Sequence, residues 1–189
     1  MRKTVLTILL SFVLLGCAAS SQGAAMPAPA AAKETSELPD RESMLRESRE
    51  MIRAFFPGLE EDSRFFFGTM DDAETILAEN GSGIILLSDP ESGESKTAVK
   101  ALQAQEAGAF HVLLVNAMKE KNLGSESWNR FLETLGQKMP AGEADSVLNG
   151  MPVLLFIQNG EIIAVQEADG IRDEAMEEAI RRKTALFEK

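Results

Sequence analysis

The stretch NGMPVLLFIQNGEIIAVQEADG, residues 149–170, decides how this chain folds. Val153 to Ile157 is an unbroken apolar run of strand length, and Glu161 to Val165, apolar from Ile162 on, is a second strand candidate. Asn159-Gly160 sits between them, and an Asn-Gly pair between two such runs predicts a tight two-residue hairpin. Pro152 stands at the first residue of the first run, where its missing N–H costs the strand ladder nothing. Gly150 frees the backbone just before it.

Working back towards the N-terminus, a strand–helix alternation emerges. Residues 84–87 (IILL) are a continuous apolar run, as expected of a central strand covered on both faces, and residues 110–115 (FHVLLV) read as a second central strand. Residues 64–70 form a shorter strand candidate. Helices are expected over residues 94–107, with Val99 and Leu102 inward, and over 125–135, with Trp128, Phe131, Leu132 and Leu135 on one side. A further helix ends near Leu77, capped by Asp71 or Asp72 and stopped by Asn80-Gly81. A last helix starts at Asp173. Ahead of all these, Met44, Leu45, Met51, Ile52 and Phe55 recur at helical spacing, and Pro57 closes that segment. Its polar face mixes both charge signs, so core packing is expected in preference to a membrane surface, which selects a basic face.

The folded order is βαβαβαββα, an α/β arrangement of parallel strands followed by an antiparallel hairpin. That order, with Met151-Pro152 opening the hairpin and Asn159-Gly160-Glu161 turning it, resembles the thioredoxin fold over residues 62–187. The resemblance implies a central mixed sheet flanked by helices, a cis Met151-Pro152 bond and Gly170 before the last helix. Only about one X-Pro bond in twenty is cis in folded proteins, so that expectation is a demanding one.

The same resemblance places the family's redox motif where the second strand enters its helix, at Ser92-Gly93-Glu94-Ser95-Lys96. Ser92 and Ser95 stand in place of its two cysteines, Glu91 in place of the usual tryptophan and Glu94 in place of the usual proline. Leu86 lies where a buried acid would assist proton transfer. Thiol–disulfide exchange needs an attacking thiolate and a resolving thiol, and a serine hydroxyl supplies neither. Serine nucleophilic catalysis would need a base within hydrogen-bond reach. The only histidine, His111, falls inside a predicted central strand, and Lys96 is a solvated lysine. One histidine and scattered methionines offer no ordinary zinc, iron–sulfur or copper site, so neither metal nor cofactor is implied.

The sequence begins with Arg2-Lys3 and an apolar stretch over residues 4–15, the pattern of a secretory signal peptide. Leu14-Leu15-Gly16-Cys17 resembles the lipobox of bacterial lipoproteins, which implies cleavage after residue 16 and lipid on Cys17. That assignment consumes the only cysteine. Removing Arg2 and Lys3 with residues 1–16 moves the net charge from −11 to −13. So acidic a surface disfavours nucleic acid and anionic headgroups, leaving the lipid as the membrane contact. The expected organisation is a signal peptide over 1–16, an Ala/Ser/Pro tether over 17–40, a leader helix over 41–57 and a thioredoxin-like domain over 60–189.

The expected function is that of a membrane-anchored, redox-inactive module on the extracytoplasmic face of the cell envelope. It would bind a polypeptide, or scaffold an envelope complex, in a groove at Met151, Pro152 and Glu91, with Ser92 and Ser95 as vestiges of the redox motif. Alternatives are a serine-dependent hydrolase, a redox subunit using a partner's thiols, and a domain retained only for its fold.

Overall fold

The computed structural model describes residues 41–105, 110–140, 143–144, 149–168 and 173–188. Helix α1 (Arg41–Phe55) leads into β1 (Phe65–Gly68), α2 (Met70–Ala78), β2 (Gly83–Ser88), α3 (Gly93–Gln103) and β3 (Val112–Asn116). Then come α4 (Ala117–Leu123), α5 (Glu126–Lys138), β4 (Val153–Gln158), β5 (Glu161–Glu167) and α6 (Asp173–Thr184), closed by a 3₁₀ turn (Ala185–Glu188). The sheet order is β1-β3-β2-β4-β5. β3 runs parallel to both β1 and β2, whereas β4 is antiparallel to β2 and to β5. The chain is therefore an α/β protein with a mixed five-stranded sheet flanked by helices.

The continuous apolar runs have a simple cause. Successive strand side chains point to opposite faces. Ile84 and Leu86 of β2, with Leu154 and Phe156 of β4, enter one core with Ile52 of α1, Val99 and Leu102 of α3, and Met176 and Ile180 of α6. Ile85, Leu87, Val153, Leu155 and Ile157 enter a second core with Met70 and Leu77 of α2 and Trp128, Phe131 and Leu135 of α5. Every residue of β2 is buried, so an alternating apolar/polar pattern has no place there.

The hairpin turn is held from outside. Asn159 and Gly160 both take positive φ (53° and 75°), which the Asn-Gly pair accommodates. The Gly160 N–H donates to the Gly81 carbonyl at 2.8 Å, and the Asn159 N–H donates to Ser82 Oγ at 2.9 Å. A Cβ on Gly160 would stand 2.9 Å from the Asn80 Cα and 3.0 Å from the Leu77 carbonyl oxygen. Gly160→Ala is expected to lower stability by at least about 1–2 kcal/mol from left-handed backbone strain alone, with the backbone clash adding to it. Chemical denaturation of wild type and variant reads the difference, and equal midpoints would refute this view of the turn.

Several expectations need correction. The cap of α2 is Thr69, not Asp71 or Asp72: its side chain accepts from the Asp72 N–H, and the Asp72 carboxylate accepts from the Thr69 N–H, a reciprocal capping box. His111 precedes β3 and is exposed, its ring edge-on to Phe66 with centroids 5.7 Å apart. In α1 the apolar stripe does not all face inward: Ile52 is buried, but Met44, Leu45 and Met51 are exposed. Ser48 is buried instead, its Oγ accepting from the Phe67 N–H of the edge strand β1 at 2.7 Å. The leader helix thus caps an otherwise open strand edge and belongs to the same compact unit, Leu38–Lys189. Helix α4 was not anticipated, since Ala117 is its one buried residue.

Arg64 is the other unanticipated element. It is buried beside Asp62, whose two carboxylate oxygens accept from Nε and Nη2 at 2.6–3.2 Å. Nη1 and Nη2 also donate to the carbonyls of Gln105 and Gln103, binding the open C-terminal end of α3. The hydrogen bond from Arg64 holds the Asp62 carboxyl below the usual carboxylate range. A carboxyl whose pKa is lowered by folding contributes stability above its unfolded pKa of about 3.9, and that contribution is lost as pH falls through the folded value. Melting temperature is therefore expected to fall on acidification below about pH 4. Asp62→Asn should lower it at neutral pH and shrink the acid-induced fall. Thermal denaturation followed across pH checks both, and an unchanged acid limb in Asp62→Asn would contradict the role given to the pair.

Candidate functional site

The β2–α3 junction is built by backbone geometry. Asp89 closes a turn in which its carboxylate accepts from the Glu91 N–H at 3.0 Å and its carbonyl from the Ser92 N–H at 3.0 Å. Ser92 is the N-cap of α3, extended at φ −68° and ψ 150°, and its Oγ accepts from the Ser95 N–H at 3.1 Å. The two hydroxyl oxygens of Ser92 and Ser95 lie 2.8 Å apart. Ser95 is wholly buried and Ser92 half-buried, while Glu91 and Glu94 are exposed at the helix N-terminus, where acids complement the dipole.

Met151 and Pro152 lie at the same end of the sheet. Antiparallel pairing of β2 with β4 sets Leu87 opposite Val153. Ser88 and Asp89 thus leave β2 at the sheet end where Met151 and Pro152 lead into β4. The Met151-Pro152 peptide bond is cis, in agreement with the expectation. The Pro152 carbonyl accepts from the Ala168 N–H at 2.8 Å, tying the approach to β4 onto the end of β5. Met151 is half-buried, its side chain against the α2/α5 core. Among the described residues, no hydrogen bond engages its N–H or its carbonyl. Glu167, which the sequence did not single out, packs against Gly150: a Cβ there would stand 2.9 Å from the Glu167 Cδ.

The arrangement bears on chemistry. Parallel pairing sets Ile84 opposite Val112 and Ser88 opposite Asn116. His111 therefore lies at the far end of the sheet from Ser92, more than about 13 Å away along the strands. It cannot serve either serine as a base. Lys96 reaches Ser92 only through its backbone N–H, which donates to the Ser92 carbonyl at 3.3 Å. Among the described residues no hydrogen bond joins its side chain to Ser92 or Ser95, and no group of three or more His, Cys, Asp or Glu side chains converges. Leu86 is fully buried in the core beneath α3. No helix among the described residues is long and apolar enough to cross a membrane. Cys17, the signal segment, the tether and Gly170 lie outside the described residues.

No protein-family model matches the chain, and no curated protein is significantly similar to it.

Proposed function

We propose that this chain is a lipid-anchored, thioredoxin-like module of the cell envelope that binds an extended polypeptide and carries out no thiol chemistry. The observation that carries the reading is Met151 at the mouth of β4, whose N–H and carbonyl no hydrogen bond engages among the described residues, on the same sheet end as the Asp89–Ser92 turn. An extended segment adds to such free backbone groups as another strand would, and neighbouring side chains set its preference. The strand order β1-β3-β2-β4-β5 and the cis bond before β4 support the thioredoxin-like assignment. Ser92 and Ser95, bonded to each other, leave the motif position without a thiol. The apolar leader and Leu14-Leu15-Gly16-Cys17 support the lipid anchor. The separation of His111 from Ser92 argues against the hydrolase alternative. The test is site-specific photocrosslinking from position 151 in the full lipidated chain, where polypeptide adducts are expected.

A further inference from the structure

Away from Met151, α1 and α3 enclose an open cavity of about 420 Å³. Its walls are apolar, from Phe55, Pro57, Leu59 and Val99, and Phe55 is braced from behind by stacking on Phe67 at 5.8 Å. Lys96 and Lys100 line the same cavity from α3. Both are exposed, and among the described residues neither has a carboxylate partner. Two lysines spaced i,i+4 repel one another and weaken their own helix slightly. Glu60, in the adjoining loop, is occupied by the Gly58 N–H at 2.8 Å. An apolar cavity of this size with a few convergent polar groups has the form of a small-molecule site. Its two cations are complementary to one negative head.

The geometry points to a binding site for an amphiphilic carboxylate, its acyl or aryl body between Phe55 and Val99 and its head on the ammonium groups of Lys96 and Lys100. This site is separate from the backbone of Met151 and stands whether or not a polypeptide binds there.

The experiment uses the full chain in phosphatidylcholine nanodiscs, with empty nanodiscs as blank. The probes are 1-naphthylacetate and its neutral amide, followed by equilibrium dialysis. Saturable binding of the acid is expected, with the amide weaker. Lys96→Gln/Lys100→Gln should weaken the acid roughly threefold to thirtyfold and leave the amide unchanged. Lys119→Gln, an exposed lysine outside the cavity, should bind as wild type does. Both lysines are on the surface, so melting temperature should confirm that the double variant is folded. Equal binding of acid and amide, a double variant that binds the acid as wild type does, or an equal loss in Lys119→Gln would each overturn the proposal. So would self-association that depends on Lys96 and Lys100 without acid binding, since the occupant would then be a second copy of the chain.

Discussion

Ser92→Cys/Ser95→Cys is expected to confer disulfide reductase activity on the chain. The two hydroxyl oxygens are already 2.8 Å apart. A disulfide needs about 2.05 Å between sulfurs, and the longer C–S bonds bring the sulfurs closer than the oxygens they replace. The Ser95 N–H, which donates to Ser92 Oγ at 3.1 Å, would donate equally to a thiolate at position 92. A helix N-terminus lowers a thiol pKa, so that cysteine should be the reactive one. The oxidised double variant should resist thiol alkylation until reduced, and should catalyse insulin reduction by dithiothreitol. Turnover should stay partial, because Leu86 supplies no buried acid to take up the proton. Ser92→Cys alone should be inactive, having no resolving thiol. Two cysteines that stay alkylatable under oxidant would show that positions 92 and 95 are not a displaced redox motif.

The second large effect concerns the anchor. Cys17→Ser is expected to abolish incorporation of tagged palmitate into the protein and to remove it from the detergent phase after phase separation. The surface, at net −13 without residues 1–16, offers anionic lipid no electrostatic substitute. The apolar stretch over residues 4–15 would extend only about 18 Å as a helix, short of the roughly 30 Å hydrocarbon core, so an uncleaved leader anchors poorly. Palmitate labelling that survives the substitution would refute the lipobox reading.

The elements legible in the sequence were those whose signal is local. Asn159-Gly160 marks its turn by the positive φ both residues take, and the runs at 84–87 and 153–157 mark strands covered on both faces. What was missed depends on partners distant in sequence. Ser48 reads as a polar helix residue until β1 presents an unpaired N–H, and Arg64 reads as a surface cation until α3 ends beside it. Met44 and Leu45 have core-like spacing, yet α1 turns Ser48 and Ile52 inward because the strand edge there needs a hydrogen-bond acceptor. Thr69-x-x-Asp72 was the exception, a capping box spelled in the sequence and passed over for the acids next to it. At the candidate site, the sequence located Ser92, Ser95, Met151 and Pro152. It could not reveal that the Ser92 and Ser95 hydroxyls bond to each other, nor that Glu167 closes on Gly150.

Photocrosslinking in native membranes tests the central claim most directly. A benzophenone amino acid replaces Met151 in the full lipidated chain, and Lys119, exposed on α4, in a control. Irradiation should give discrete, protease-sensitive adducts from position 151 that an unfolded competitor polypeptide diminishes, and none of these from position 119. The same adduct pattern from both positions, or no polypeptide adduct from position 151, would contradict the proposal that Met151 lines a polypeptide-binding groove.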